Sequence, residues 1–277
     1  MVKKAIIVPN YLKEESMGFC NVAKDMLVSL GYSVEVLAES DNPSQGADFA
    51  LVLGGDGTIL RASKKLYKLD IPVFGINFGN IGYLTACNPD TAIECINKVI
   101  NGEYKLENRL MLKGSLIRNG KMVHSFVALN EATLFRSTMK KAFISEVYIN
   151  GMNTETILGD GVIVSTPTGS TSYNLSAGGP VLTPESNNMV ITPLSPMRSV
   201  CSSVVTSGDD TIEIKIEIGN HLKGATVSLE IDGDSSIDVY DGDVLKIERA
   251  EKTAKIIKVS DISFYQILKK KLYKVNE

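Results

Sequence analysis

Residues 49–62 read FALVLGGDGTILRA, and this stretch decides the fold of the first part of the chain. Five apolar residues, Phe49 to Leu53, are followed directly by two glycines, an aspartate, a glycine and a threonine. A short apolar run bounded by glycines is typical of a strand buried on both faces, and the residues after Asp56 have the pattern of a helix. The stretch therefore predicts a strand, a tight turn that carries a carboxylate, and a helix.

The first hundred residues alternate strand-like and helix-like patterns around this stretch. Further strands are predicted at 4–8, 32–37 and 71–76, and helices over 19–30, after Asp56 and over 90–100. Gly31 is placed to end the first of these helices. Short buried strands that alternate with helices indicate a parallel sheet covered on both faces.

From about residue 110 the pattern changes to that of antiparallel β-structure. Hairpin turns are predicted at Arg118-Asn119-Gly120 and at Asn150-Gly151, and residues 211–218 alternate strictly between polar and apolar. The glycine-bounded strands favour a sandwich-like domain. We therefore predict an α/β N-terminal domain with a parallel sheet over 1–107, completed by a C-terminal helix over 258–277, and a mostly antiparallel, β-rich C-terminal domain over 108–257.

Composition excludes several classes of function. The net charge of −3 over 277 residues gives no basic surface for nucleic acid or for an anionic membrane. No apolar stretch approaches the roughly 20 residues that a bilayer-spanning helix needs. The four cysteines, including Cys201, have no CxxC spacing, so free thiols in a cytoplasmic protein are expected. The two histidines, His124 and His221, disfavour a mechanism that depends on a histidine base.

The GGDGT turn suits phosphoryl transfer. Ligands of a parallel α/β sheet bind beyond the carboxyl ends of the strands, and Gly54 and Gly55 allow a close approach there. A helix N-terminus near Thr58 would offer free N–H groups to phosphate. A carboxylate among phosphates would bind a metal ion or accept a proton, so Asp56 is the candidate catalytic residue. The structural alternative is a tight turn in which Asp56 caps the helix.

Three further stretches are candidates for ligand binding. Glycines and asparagines follow the fourth strand over 75–84, where a surface loop is the alternative. The pair Asn130-Glu131 can clamp a vicinal diol, although the end of an exposed strand explains it almost as well. The segment over 160–180 contains many serines and threonines just before Tyr173. Their hydroxyl groups can bind ribose hydroxyls and adenine edges, and the tyrosine can stack on a ring of the ligand.

Together the four stretches resemble the ATP-dependent NAD kinase family. That family carries GGDGT after a strand, a loop of the NxGxxGF type, an NE pair and a long DGxxxSTPTGSTAY segment that ends in GGP. The corresponding stretches here are GGDGT at 54–58, NFGNIGYL at 77–84, NE at 130–131 and DGVIVSTPTGSTSYNLSAGGP at 160–180. They occur in the family's order and span most of the chain.

The resemblance implies transfer of the γ-phosphate of ATP to the 2′-hydroxyl of the adenosine ribose of NAD. Asp56 would accept the hydroxyl proton, order Mg²⁺, or do both. The phosphate-binding residues for ATP would be Gly55, Gly57, Thr58 and Arg61. The NAD-binding residues would be Gly57, Phe78, Asn130, Glu131, Asp160, Thr168, Thr171, Tyr173 and Ser176. Among these, Asp160 is expected on the nicotinamide side, and Phe78 is expected to be an apolar wall.

The resemblance also implies a divalent metal ion, with Mg²⁺ as the expected one, and a homo-oligomer, with a tetramer as the expected form. One departure from the family pattern is Met197, which stands where TPxxPH would place a histidine. It removes a polar contact from that corner of the site.

Three alternatives use a similar turn. A lipid kinase of the diacylglycerol or sphingosine type shares GGDGT, but it lacks the STPTGSTSY segment. A sugar kinase similar to phosphofructokinase uses GGDG, but it needs basic residues near the site, where Arg61 gives little support. In a non-catalytic dinucleotide-binding regulator, Asp56 would be structural.

Overall fold

The computed structural model describes residues 3–79, 82–137, 142–197, 202–218, 226–260 and 262–273. Cys201, His221 and two residues of the 77–84 loop lie outside these ranges. The chain divides into two compact units, of which the first comprises Met1–Asn108 with Ala254–Glu277 and the second comprises Arg109–Thr253.

The first unit begins with alternating strands and helices. They are β1 (Lys4–Pro9), α1 (Glu14–Ser29), β2 (Ser33–Val36), β3 (Phe49–Leu53), α2 (Asp56–Leu66), β4 (Val73–Ile76), α3 (Ala92–Ile100) and β5 (Lys105–Arg109).

The second unit consists mainly of strands. They are β6 (Leu112–Arg118), β7 (Lys121–Ala128), β8 (Glu131–Arg136), β9 (Phe143–Ile149), β10 (Met152–Gly159), β11 (Gly161–Ser165), the short helix α4 (Tyr173–Ser176), β12 (Asn188–Leu194), β13 (Val204–Ser207), β14 (Ile212–Glu217), β15 (Val227–Ile231), β16 (Ser235–Val239) and β17 (Val244–Arg249). The chain then returns to the first unit as β18 (Ala254–Lys258) and α5 (Phe264–Tyr273).

The sheet of the first unit has the strand order β2-β1-β3-β4-β18-β5. The pairings of β1 with β2 and β3, of β3 with β4, and of β4 with β18 are all parallel. All five residues of β3 are buried because helices cover both faces of the sheet. On one face, α1 and α3 form an apolar core with alternate strand residues such as Ile7, Leu51 and Phe74. On the other face, α2 contacts β3, β4 and β18. The predicted parallel α/β sheet is confirmed.

Strand β18 differs from the sequence prediction. Lys258, predicted to begin the terminal helix, ends a strand, and the helix begins six residues later at Phe264. Residues 254–257, predicted in the second domain, belong to the sheet of the first unit, where Ile256 pairs with Val73. The sequence AKIIK of this strand is neither strictly alternating nor wholly apolar, and its partner strand lies far away in the sequence.

The second unit is a sandwich of two antiparallel sheets. Their strand orders are β10-β9-β14-β17-β6-β7 and β13-β12-β11-β8-β15-β16. Buried residues of both sheets share one apolar core, to which the first sheet contributes Leu116, Ile214 and Leu245, and the second contributes Leu134, Val164 and Leu229. The prediction of an antiparallel, β-rich domain is confirmed.

The local patterns of this unit match its structure. At the turn between β6 and β7, Asn119 and Gly120 have φ angles of 51° and 73°, and at the turn between β9 and β10, Asn150 and Gly151 have 51° and 80°. Positive φ at both central positions is the geometry of a type I′ hairpin turn. In β14 the isoleucines are buried and the charged residues between them are not, as the alternation predicts.

Cys20, Cys87 and Cys95 carry free thiols, as predicted for these three. Of the helices in the described ranges, none is long and apolar enough to span a membrane.

Two glycine-to-alanine substitutions at α1 are expected to have opposite effects on stability. An added Cβ on Gly18, in the middle of the helix, meets no atom within 4 Å. Gly18→Ala should raise the free energy of unfolding by about 0.5–1 kcal/mol, because glycine loses more backbone entropy on folding. Gly31, just after the helix, has a φ of +82°. Gly31→Ala should lower the free energy of unfolding by about 1–2 kcal/mol, the cost of a left-handed alanine.

Urea denaturation of both variants, followed by circular dichroism, measures these changes. The substitution is the same in both cases, so shifts of the same sign would contradict the assignment of the helix and its end.

Candidate active site

The turn after β3 places Asp56 at the first position of α2. Gly54 donates its N–H to the carbonyl of Ile76 at 2.9 Å, and Gly55 is the N-cap residue of the helix. An added Cβ on Gly54 would lie 2.4 Å from Oγ1 of Thr58. The helix can therefore start directly after the strand only with a glycine at position 54.

Backbone amides of the second glycine-rich stretch hold the carboxylate of Asp56. Its Oδ2 accepts from the N–H of Tyr83 at 2.8 Å, and its Oδ1 accepts from the N–H of Leu84 at 3.0 Å. An added Cβ on Gly82 would lie 1.9 Å from Oδ1 of Asp56, so only glycine lets this backbone approach so closely. The carboxylate remains half-exposed, and its oxygens keep further lone pairs for a metal ion or a proton. Burial and the charge of Asp56 raise the pKa of Tyr83.

Lys258 fixes the same loop from the other side. Its Nζ donates to the carbonyl oxygens of Tyr83, Leu84 and Thr85 at 3.0, 3.2 and 3.2 Å. The end of β18 therefore supports the loop that orients Asp56. The sequence prediction missed this residue because it assigned Lys258 to a helix.

The predicted phosphate-binding residues lie on the first two turns of α2. Gly57 is exposed and Thr58 is buried. The N–H of Thr58 donates to the carbonyl of Gly55 at 3.0 Å, so it is not free for phosphate as the sequence suggested. The helix begins at Asp56, so the N–H groups that its start leaves without a helical partner include those of Gly55, Asp56 and Gly57. Arg61 is partly exposed, with Nε 3.7 Å from Oε1 of Glu39.

Phe78 lies mostly in the core of the first unit. Its side chain is 8% exposed, and its ring packs against that of Phe19 with centroids 5.8 Å apart. Lys13 donates to its carbonyl oxygen at 3.0 Å. Little of the ring surface is therefore available to a ligand.

In the second unit, Asp232 organises the Asn130-Glu131 pair. Its Oδ1 accepts from the N–H groups of Asn130 and Glu131 at 2.8 and 3.1 Å, and its Oδ2 accepts from that of Leu129 at 3.1 Å. Asp232 lies in the hairpin turn between β15 and β16, with a φ of 52°. Its carboxylate therefore positions the backbone of the predicted NAD-binding pair.

The Glu131 side chain is buried beside this carboxylate. Its Oε1 accepts from Oγ of Ser172 at 3.3 Å. Oε2 is buried and has no hydrogen-bond partner among the residues that the structure describes. Burial, with a further contribution from the negative charge of Asp232, raises the pKa of Glu131 to about 8. The side chain is therefore mostly protonated at neutral pH.

Many hydroxyl groups of the 160–180 segment are used inside the unit. Thr166 Oγ1 donates to the carbonyl of Leu129 at 2.6 Å, and Ser170 Oγ donates to that of Pro167 at 2.7 Å. An added Cβ on Gly169 would lie 2.3 Å from the carbonyl oxygen of Asn130. The segment therefore packs directly on the Asn130 backbone, and its buried hydroxyls hold it there.

Asn174 is a buried polar centre that the sequence prediction did not identify. Its Nδ2 donates to the carbonyls of Ser170 and Pro180 at 3.2 and 3.0 Å, and its Oδ1 accepts from Oγ1 of Thr192 at 2.7 Å. An added Cβ on Gly179 would lie 2.1 Å from that Oδ1. The backbone of Gly178-Gly179-Pro180 therefore packs around the Asn174 side chain.

The remaining predicted residues of the segment differ in exposure. Tyr173 and Ser176 are exposed, and Thr171 is half-buried. Thr168 is 7% exposed and accepts from NH1 of the buried Arg109 at 3.3 Å. Tyr173 and Ser176 are thus open to a ligand, whereas Thr168 already has a partner.

Asp160 lies apart from this group. It precedes β11, whereas Ser165, at the other end of that strand, pairs with Glu131. Five strand residues separate the two ends by about 16 Å. Asp160 forms an ion pair with Arg136, with Nε and Oδ1 2.7 Å apart. The exposed Met197 lies at the same end of the strand, where its N–H bonds the carbonyl of Leu158.

Each unit therefore gathers part of the predicted site. In the first unit, the predicted phosphate-binding residues lie at the N-cap of α2 and in its first two turns, next to Asp56. In the second unit, Asn130 and Glu131 contact the segment over 165–172, whereas Asp160 lies at the far end of β11. No group of three or more His, Cys, Asp or Glu side chains within the described ranges is arranged to hold a metal ion.

Two family models match the chain. The ATP-NAD kinase N-terminal domain matches residues 13–104, and the ATP-NAD kinase C-terminal domain matches residues 129–259. Among curated relatives, the NAD kinase of Lachnoclostridium phytofermentans is 33% identical over 98% of this chain and 99% of its own length. That of Carboxydothermus hydrogenoformans is 37% identical over 90% of this chain and 88% of its own length.

Solved structures agree with this result. Yeast NADH kinase, solved in complex with NADH, has a TM-score of 0.86 over 100% of this chain and 88% of its own; at 20% identity this likeness shows the fold alone. The NAD kinase of Archaeoglobus fulgidus, solved in complex with ATP, has a TM-score of 0.76 and 27% identity over 99% of this chain and 100% of its own. Because both family models and full-length relatives match, the chain belongs to the ATP-NAD kinase family.

Proposed function

We propose that the chain transfers the γ-phosphate of ATP to the 2′-hydroxyl of the adenosine ribose of NAD, giving NADP and ADP. One observation carries the assignment of the catalytic residue: two loop amides fix the half-exposed Asp56 carboxylate at the first turn of a helix. The NAD kinase relatives support the reaction. The lipid-kinase, sugar-kinase and regulator alternatives are not favoured by these relatives.

In this proposal, Asp56 acts on the attacking hydroxyl. The 2′-oxygen of the ribose attacks the γ-phosphorus, and the bond from that phosphorus to the bridging oxygen of ADP breaks. The proton of the 2′-hydroxyl passes to the Asp56 carboxylate, which the amides of Tyr83 and Leu84 hold in one orientation. Asp56 would also be the protein ligand that orients Mg²⁺.

The residues near Asp56 fit a magnesium ion that arrives with ATP. Mg²⁺ usually takes one or two carboxylates together with phosphate oxygens and water, and it needs no cage of protein ligands. A single half-exposed carboxylate, in a chain whose described residues form no larger cluster of metal ligands, matches that preference. When bound, the ion would neutralise the charge of the phosphates.

We assign NAD binding mainly to the second unit. Asn130 and the protonated Glu131 would bind the adenosine ribose, and Tyr173 and Ser176 would line the adenine side. Asp160 would contact the nicotinamide side. The 16 Å length of β11 supports this division, since NAD is long and its two ends need separate subsites. Thr168 is hydrogen-bonded to Arg109 and Phe78 is buried, so we assign both residues smaller roles in NAD binding.

We further propose a cytoplasmic homo-oligomer, with a tetramer as the expected form, following the family resemblance. Light scattering of the purified protein measures the mass; a mass of 30 kDa would mean a monomer.

A direct assay tests the proposed function. Purified protein is incubated with ATP, Mg²⁺ and NAD, and NADP is measured with an NADP-specific dehydrogenase. The expected result is NADP formation that depends on all three components. The absence of NADP would refute the proposal.

Asp56→Asn should lower kcat for NADP formation by about 10³-fold, because the amide neither accepts the proton nor orients the cation as a carboxylate does. Asparagine keeps one oxygen for the loop amides, so titration with NAD should show largely unchanged binding.

Asp25→Asn is the matched control, because Asp25 is an exposed carboxylate of α1. It should react at the wild-type rate. A kcat for Asp56→Asn within a few-fold of the control would mean that Asp56 is structural.

Glu131→Gln should remove a specific pH dependence of stability. The pKa of Glu131 is about 8 in the folded chain, against an ordinary value of 4.5. Between these values the unfolded chain releases a proton that the folded chain keeps, so wild-type stability falls as pH rises from about 4.5 to 8. Glutamine stays neutral throughout, so the variant should lose this part of the decline.

Urea denaturation across that pH range measures the difference between the two proteins. The control is Glu217→Gln at an exposed position, which should retain the wild-type decline. Parallel curves for wild type and Glu131→Gln would show that Glu131 has an ordinary pKa.

A further inference from the structure

A cavity of about 290 Å³ lies beside α2 in the first unit. Its walls come from the carboxyl end of β1, the residues that follow β1 and β2, and one side of α2. In parallel α/β sheets, ligands bind at the carboxyl ends of the strands. The volume is near the lower end of the range for small-molecule sites, about 300 Å³.

The cavity follows from the way the sheet is covered. Helix α2 contacts β3, β4 and β18, whereas α1 covers the opposite face. Ile7 points to the α1 face, so its neighbour Val8 faces the α2 side. The end of β1 on that side therefore lies beside α2 rather than beneath it, and Val8 lines the cavity.

The lining combines apolar walls with an exposed mouth. Val8, Leu37, Ala38 and Ala62 are among the wall residues. At the mouth, Leu12 is 93% exposed and Tyr11 is 46% exposed, although both line the cavity. Exposed apolar and aromatic side chains at the rim of a concave site are typical of a surface that a flat ring covers.

The part of α2 that lines the cavity reaches Thr58, in the first turn of the helix that begins at Asp56. Thr58 and Ala62 lie four residues apart on the wall, and Arg61 stands between them on the rim. Asp56 and Ala62 are separated by about 9 Å along the helix axis, a distance that a ribose and a triphosphate chain can span. Asn10, another lining residue, donates to Oγ1 of Thr58 at 3.4 Å.

Two basic residues of α2, Arg61 and Lys65, line the cavity. Arg61 pairs with Glu39 at 3.7 Å, and Lys65 donates to the carbonyls of Glu39 and Asp41. Both cations are only partly buried. Arg61 lies about 7 Å along the helix axis from Asp56, close enough to attract a polyphosphate, whereas Lys65 lies in the last turn of α2.

We propose that this cavity binds the adenine of the phosphoryl donor ATP, so that the triphosphate runs along α2 toward Asp56. The assignment rests on the proposed function and adds the location of the donor base. It separates the donor base in the first unit from the adenosine of NAD, which is assigned to residues of the second unit.

The first test is kinetic and uses a large side chain to fill the cavity. Ala38 is a half-buried wall residue, and Ala38→Phe should raise the KM for ATP by about 10-fold or more, while the KM for NAD changes less than about 2-fold. Ala47→Phe is the matched control, because Ala47 is half-buried in the same unit and does not line the cavity. It should leave both values unchanged.

A binding test uses the absence of tryptophan from the sequence. Tyr11→Trp places a single indole at the mouth, and its fluorescence should change as ATP saturates the protein. Inorganic triphosphate, which lacks a base, should leave the fluorescence unchanged at concentrations that inhibit the reaction. Tyr104→Trp, at a position in the first unit that does not line the cavity, should not respond to ATP.

The outcomes separate this proposal from the proposed function. Lack of NADP formation by wild-type protein would refute the function itself. If wild type forms NADP but the indole of Tyr11→Trp does not respond to saturating ATP, the cavity is not the adenine site. An unchanged KM for ATP in a folded Ala38→Phe variant would overturn it as well. If that variant fails to fold, the Tyr11→Trp titration decides.

Discussion

The carboxylate of Asp56 accepts hydrogen bonds from two backbone amides, and the arrangement of the first unit depends on this contact. It joins the turn after β3 to the loop after β4, and Lys258 ties that loop to the end of β18. Buried or half-buried N–H groups cost about 1–3 kcal/mol each when they lack an acceptor. The carboxylate therefore stabilises the loop, and the loop in turn sets the direction in which its free lone pairs point.

In the second unit a carboxylate also accepts hydrogen bonds from backbone amides, but this carboxylate is buried. Asp232 accepts from three consecutive amides, those of residues 129–131, and is almost completely buried. Its charge is compensated by these donors. Glu131 has one hydroxyl donor, Ser172, and burial raises its pKa, with a further contribution from the negative charge of Asp232. The burial of Glu131 next to a carboxylate therefore favours its protonated form.

Local patterns were enough to predict the fold class but not the contacts around the site. The buried β3, the alternating β14 and the two Asn-Gly turns each carry their signal within a few residues. The contacts of Lys258 and Asp232 join residues that are more than a hundred positions apart, and nothing in the local sequence marks them. For the same reason residues 254–257 of β18 were predicted in the second domain. The sequence indicates that the hydroxyl-rich segment can bind a ligand, but it does not show which hydroxyls have acceptors within the protein, as those of Thr166 and Ser170 do.

The hydroxyl-rich segment over 165–180 finds many of its hydrogen-bond partners within its own unit. A loop with many donors can remain compact only if most of them find acceptors within the protein. Asn174 satisfies three partners at the centre of the segment, and its fit against Gly179 leaves no room for another side chain. The groups that remain at the surface, such as Tyr173 and Ser176, are then held by a rigid support. A substrate that binds there does not have to supply the energy for ordering the loop, so its binding energy is available for orienting the reacting hydroxyl.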